Sequence, residues 1–263
     1  QHAKYLVVDA RAAYLGSANF DWRSLEHIHE LGVRIRSEPL AARLAALFDH
    51  DWDHAEAPAS DPAAVFWPPV TVGDAEAQLV ASPDEAWLGK AWELPHIERA
   101  IADAKRSVAV ELLDYGPSFR DGRPFRRLDD ALRAAAERGV KVRLILSHWQ
   151  ARHMDDVQAL QRVPGCDVRI ATVPEHDSGF IPFARVVHPK SLVVHGAWLW
   201  LESSKWNGRY LLHRAQRRAG RIRRRAPSPG AGGLRAALGQ PLRRRRRPGT
   251  TLRSAAHRSL KPR

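Results

Sequence analysis

The chain has 263 residues, 44% of them hydrophobic, which is enough to bury a core in one or two domains. Cys166 is the only cysteine, which excludes an intrachain disulfide framework, and no apolar run approaches the roughly 20 residues that a membrane-spanning helix needs. The formal charge of +13 is unevenly placed: residues 211–263 carry sixteen arginines and Lys261 with no acid, leaving 25 basic against 29 acidic residues before them.

Taken in order, Lys4–Val8 and Ala13–Leu15 read as strands joined by a turn, and Gly32–Arg36 as a third with Val33 and Ile35 on one face. Pro39 suits a helix start, and Leu40, Leu44, Leu47, Phe48 and Trp52 recur at helical spacing as a packing stripe. His50, His54, Asp49, Asp51 and Asp53 lie close in sequence but spread around that helix, which argues against a metal site. Residues 55–73, with Pro58, Pro62, Pro68 and Pro69, read as a linker between a first unit at 1–54 and a second at 74–210.

The second unit opens with a strand near Glu76–Ala81. Helix His96–Lys105, strand Ser107–Leu113, helix Arg127–Arg138, strand Val140–Ser147, helix Asp155–Gln161 and strand Asp167–Thr172 follow. Strands Arg185–Val194 and Trp198–Leu201 complete it. The alternation predicts an α/β fold with a mostly parallel mixed sheet covered by helices on both faces. Residues 211–263 are expected to be a disordered tail. A run such as Arg243–Arg247 would bind polyanions non-specifically, and the same Arg/Ala/Gly/Pro bias is also what GC-rich coding sequence gives when read out of frame.

The stretch 1–19 recurs 186 positions later. The offset carries His2 to His188, Lys4 to Lys190, Leu6-Val7-Val8 to Leu192-Val193-Val194, Leu15 to Leu201 and Ser17 to Ser203. A single His-x-Lys means little, but two at one offset, each followed by an apolar run and a serine turn, define two halves of one cationic site. In an extended chain alternate side chains share a face, so each histidine stands beside its lysine. Two ammoniums can neutralise phosphate oxygens, while one imidazole attacks phosphorus and the other protonates the leaving oxygen. That division of labour needs no metal and no cofactor, and the chain has no Cys cluster or His-Glu-x-x-His.

His2-x-Lys4-x4-Asp9 with Gly16-Ser17-x-Asn19 resembles the paired-motif signature of the phospholipase D superfamily. The resemblance implies that family's mostly parallel mixed sheet, phosphodiesterase activity, a nucleophile at His2, a proton donor at His188 and phosphate-binding lysines at Lys4 and Lys190. It matches Asp9 to the motif acid, and Ser17, Asn19 and Ser203 to the polar positions after the motifs. Glu30 matches the downstream glutamate that hydrogen-bonds an imidazole and fixes its tautomer. Asn19-Phe20-Asp21-Trp22-Arg23-Ser24-Leu25, Glu30-Leu31-Gly32-Val33 and Ile181-Pro182-Phe183-Ala184-Arg185-Val186 resemble the branch of the lysosomal five-prime exonucleases. The implied substrate is a phosphodiester of phospholipid or single-stranded nucleic acid, with phosphatidyl transfer a further option.

The second copy departs from the pattern at His195, Glu202 and Lys205, and no glutamate follows Tyr210 to orient His188. The first unit has one residue ahead of His2 where the second spends about 110 building a sheet, so the chain reads as a fragment with a truncated first repeat; any targeting segment would lie upstream of Gln1. Such a truncation predicts an open apolar sheet edge and self-association. It also raises the alternative of a catalytically inactive remnant or polyanion-binding chain. Further substrate-contact candidates are His148 and Trp149, Asp114 and Tyr115 at strand ends, and His176 and Asp177 in the loop before the second motif.

Overall fold

The computed structural model describes residues 2–54, 67–83, 86–119, 121–203 and 205–212. Most of the expected linker, residues 55–66, and the Arg-rich tail beyond Leu212 lie outside them.

The first half forms an antiparallel sheet from β1 (Tyr5–Val8), β2 (Ala12–Gly16) and β3 (Gly32–Arg36), in that order. Between β2 and β3 lies the short helix α1 (Trp22–Glu26), where the Asp21 side chain accepts the Ser24 N–H at the N-cap. Helix α2 (Glu38–Asp53) follows, with Pro39 in its first turn. Leu40, Ala41 and Leu44 of α2 pack on Ala13, Tyr5, Val7 and Ile35, so one sheet face is covered. On the other face Leu6 and Val8 are 55% and 49% exposed. β1 has β2 as its one partner, so its outer edge is open among the described residues.

After the small hairpin β4 (Val70–Val72) and β5 (Ala75–Ala77) comes α3 (Glu93–Ala102) and then the main sheet. Its strands are β6 (Ser107–Leu112), β7 (Lys141–Ser147), β8 (Cys166–Ala171), β9 (Ser191–Val194) and β10 (Trp198–Leu201), in the order β10-β9-β6-β7-β8. Helices α4 (Arg127–Glu137) and α5 (Met154–Gln161) make the crossovers that keep β6, β7 and β8 parallel. A final helical turn, α6 (Gly208–Leu211), follows β10.

The sheet is mixed and flanked by helices, and it differs from the expected one in two respects. First, the β6–β9 and β9–β10 ladders are antiparallel; the stretch 172–190 supplies no crossover helix, and a parallel return requires one. Second, helices cover one face. Val142, Leu144 and Leu146 are buried against α3, α4 and α5, while Lys141, Arg143 and Ile145 on the same strand are exposed. Two successive crossovers of one hand place both helices on one side.

Leu132 of α4 is fully buried in this core with Leu94, Ile97 and Ile101 of α3. Leu132→Ala is expected to lower unfolding free energy by about 3 kcal/mol, the usual loss for a buried leucine with its cavity, read from a urea titration.

The expected strand Arg185–Val194 starts only at Ser191. Phe183 and Arg185 have φ of 59° and 56°, outside the extended region. Residues beyond them pair with the first half of the chain instead of the main sheet: Arg185 N donates to His27 O, His29 N to Val186 O and His188 N to His29 O, all within 2.9 Å. This short parallel bridge, centred on His29 and Val187, forms a seam between the two halves.

Candidate active site

Each motif hairpin is built to the same plan. Tyr5 to Val8 pair with Leu15 to Ala12, and Ser191 to Val194 pair with Leu201 to Trp198, the same register shifted by 186. The turns agree as well: Asp9 and Ala10 have φ of 52° and 51°, His195 and Gly196 58° and 75°, the paired left-handed residues of a primed hairpin turn. Gly16 N donates to Lys4 O at 3.2 Å, and Glu202 N to Lys190 O at 3.0 Å. Both His-x-Lys segments thus enter their hairpins in the same geometry.

That geometry places Asp9, which the motif assigns to the catalytic set, in the hairpin turn. Asp9 is exposed in the turn, where aspartate tolerates positive φ. Its counterpart His195 uses its ring to accept the Lys105 backbone N–H at 3.1 Å, bracing the loop between α3 and β6. Loss of the acid in the second copy therefore leaves the hairpin standing.

Lys4 Nζ is 2.9 Å from His2 Nδ1, and Lys190 Nζ is 2.7 Å from His188 Nε2. Each ammonium also donates to its histidine's carbonyl. The seam brings Glu30 to the second histidine: His188 Nδ1 lies 2.9 Å from both Glu30 carboxylate oxygens. Glu30 accepts the Ser17 hydroxyl at 2.6 Å, and Ser17 accepts the Leu31 N–H. Ser17 is fully buried, so it anchors Glu30 where the sequence pointed to a substrate contact. Glu30 likewise meets an imidazole, and that imidazole belongs to the other half of the chain.

Burial governs the charges here. Lys190 is 1% exposed, and burial first, opposed by Glu30 and helped by the charges of Lys4 and Lys205, brings its pKa down to about 7. Lys4 comes down to about 8 through burial, opposed by Glu30 and Glu202. His2 falls to about 4 through burial and the charges of Lys4 and Lys190, with a smaller upward pull from its bond to the Ser203 backbone. Burial would raise Glu30, but the hydrogen bonds from His188 and Ser17 hold it below the ordinary carboxylate range. Below about pH 7 this is an uncharged imidazole at His2, an anion at Glu30 and two ammoniums poised to gain from a bound anion.

Other expected positions fall at different distances from this cluster. Asn19 is half-buried in the loop after β2, and Ser203 is buried with its hydroxyl on Glu202 at 2.9 Å. Lys205 pairs with Asp114 at 3.2 Å, so the extra ammonium of the second copy has a counter-charge. Tyr115 is core, its hydroxyl on Asp129 and its backbone held by Gln150. His148 lines a groove of about 420 Å³ with Trp149, Phe180, Phe183 and Arg185. His176 packs edge-on to His27 at 4.7 Å. Two contacts were not readable from the motifs: the Tyr210 ring 5.2 Å from His2, and the Glu202 carboxylate beside Ser203.

A duplicated hairpin that carries an imidazole–ammonium pair in each copy, on a mixed α/β fold, defines a two-motif chain of the phospholipase D type. The chain belongs to the PLD-like domain family described as cardiolipin synthase, PLD-like domain, which it matches over residues 1–52 and 97–216. It is 30% identical over 248 residues to a probable phospholipase D of Caenorhabditis elegans, covering 81% of this chain and 45% of that protein. It is 32% identical over 243 residues to the 5'-3' exonuclease PLD3 of Xenopus tropicalis (81% and 49% covered), and 31% identical over 233 residues to phospholipase D Z of Dictyostelium discoideum (80% and 55%). The chain thus spans about half the length of the curated relatives it matches. Among solved structures, NucT from Helicobacter pylori aligns with 44% of this chain and 67% of its own at 20% identity and a TM-score of 0.36.

Proposed function

We propose that the chain carries a phosphodiesterase site working through a phosphohistidine, on phospholipid or single-stranded nucleic acid. The observation that supports it most is the meeting of two His–Lys pairs across the seam, one imidazole held uncharged beside its lysine and the other braced by Glu30. In the first step a His2 ring nitrogen forms a bond to phosphorus and the ester P–O bond breaks, with His188 giving its proton to the leaving oxygen. In the second, His188 takes a proton from water, the oxygen attacks phosphorus and the P–N bond breaks, freeing His2. Lys4 and Lys190 hold the non-bridging oxygens through both steps. An alcohol in place of water would make the same site a transferase. Relatives named as 5'-3' exonuclease and phospholipase D support nucleic acid and phospholipid as the two substrate classes.

The decisive experiment is hydrolysis of bis-p-nitrophenyl phosphate by the 263-residue chain in EDTA, followed by competition between single-stranded DNA and phosphatidylcholine vesicles. Turnover is expected to persist in EDTA. Soluble, folded protein without turnover would overturn the proposal.

The pH profile is expected to favour mildly acidic conditions. kcat/KM should rise through about pH 4 as His2 becomes the free base, then fall as Lys190 and Lys4 lose their protons near pH 7 and 8. Both limbs follow from groups whose pKa is lowered by burial, and initial rates from pH 3 to 9 check them.

A further inference from the structure

Glu202 stands where the first hairpin has Gly16, and the two residues make the same backbone bond, to Lys190 O and to Lys4 O. Glycine brings no side chain to that spot. Glu202 brings a carboxylate, whose Oε1 accepts from the Ser203 N–H at 2.8 Å and from Ser203 Oγ at 2.9 Å. In the first half the matching hydroxyl, on Ser17, goes to Glu30. The 186-residue offset would put a second Glu30 at position 216, which is Gln216. The second half therefore has a serine of the same kind with its carboxylate supplied from a different position.

Ser203 is also the residue whose backbone bonds the His2 ring. On its other side Glu202 hydrogen-bonds Glu93, which is wholly buried at the start of α3 and is held by Ser82 Oγ and, at 3.3 Å, by Trp200 Nε1. Two carboxyl groups in contact in such a place share a proton. Glu202 has two donors from Ser203 and lies close enough to Lys4 for its charge to act there. Glu93 keeps the proton, because burial first and the charge of Glu202 second hold its carboxyl well above the ordinary range.

We propose that Glu202 is the positioning carboxylate of the second half-site: it takes the place of a missing counterpart to Glu30, fixes Ser203 and through it His2, and balances the Lys4 ammonium, while the wholly buried Glu93 beside it carries the proton of the pair. The inference rests on the two-imidazole phosphodiesterase proposed for this site. Among the described residues, Lys4 faces His2 on its own segment, Glu30 before β3, Glu202 after β10 and Lys190 before β9. Glu202 faces Lys4, Ser203 and Glu93.

The test compares Glu202→Gln and Glu93→Gln in the full chain. Without the Glu202 charge, Lys4 keeps Glu30 as its one carboxylate and loses its proton at lower pH. The Lys4 component of the alkaline limb of kcat/KM on bis-p-nitrophenyl phosphate should then move down by about one unit, giving about fivefold less activity at pH 8 with the acid limb in place. Glu93→Gln, an amide in place of a neutral acid, should leave the alkaline limb where it is. An unmoved limb in folded Glu202→Gln, or an equal shift in Glu93→Gln, overturns the proposal. Carbon-13 NMR of glutamate-labelled wild type adds a measurement that needs neither variant nor turnover. One carboxyl should still be protonated at pH 7, and a set of glutamates that all titrate in the ordinary range also overturns it. Because this titration is independent of catalysis, failure of the pair and failure of the phosphodiesterase function are told apart.

Discussion

Replacing Glu30 by glutamine is expected to lower kcat on a phosphodiester by about 10³-fold while KM changes little, as when the carboxylate behind a catalytic imidazole is neutralised. The carboxylate accepts at 2.9 Å from His188 Nδ1, which fixes the tautomer with Nε2 toward Lys190 and steadies the imidazolium needed for acid catalysis. Glutamine can keep the Ser17 hydroxyl on its carbonyl oxygen, but its amide presents a donor to a ring nitrogen that is itself a donor. The fold should survive. Its pH response has a definite sign: Glu30 is held below its ordinary pKa, so the stability it contributes is present above the unfolded value and is lost as pH falls through the folded one. Glu30→Gln should flatten that acid loss in thermal melts taken between pH 6 and 3. A variant with unchanged kcat would remove Glu30 from the mechanism.

His2→Ala is expected to cost at least about 10⁴-fold in turnover and to abolish phosphoenzyme trapping, because no other group then forms the covalent intermediate. His188→Ala should behave differently on bis-p-nitrophenyl phosphate. p-Nitrophenolate leaves without a proton, so this variant should still release one burst of p-nitrophenolate and then stall with a p-nitrophenyl phosphoryl group on His2. A rapid quench followed by base-stable, acid-labile phosphate counting separates the two. A burst from His2→Ala and none from His188→Ala would reverse the assigned roles.

The sequence carried the two hairpins and both His–Lys pairs legibly, because each is a local pattern: alternation, a turn, and a repeat at constant offset. The helices α2 to α5 were equally plain from their apolar stripes. What stayed out of reach was long-range. Glu30 and His188 meet over 158 positions through a backbone bridge formed by ordinary-looking residues 27–29 and 185–188. Nothing in that segment signals that it leaves the main sheet, beyond positive φ at Phe183 and Arg185, which no glycine announces. The antiparallel return of β9 had a usable signal in the absence of a helix between 172 and 190. For Asp9 the motif letter alone does not say whether the residue serves chemistry or the turn in which it sits. Glu202 looked like damage in one dimension, and beside Ser203 and Glu93 it has partners.

The seam has a consequence for how the protein responds to its ligand. One pair of cations comes from each half, and the backbone link between them is three hydrogen bonds long. An anion seated between Lys4 and Lys190 would add to a union already made by packing, because Leu40, Ala41 and Leu44 share one buried core with Leu79, Leu88 and Ala91 of the second half. At a hundred times its dissociation constant such a ligand adds about 2.7 kcal/mol to the folded form. Occupancy of the site and stability of the fold around it are therefore linked quantities, each readable from the other.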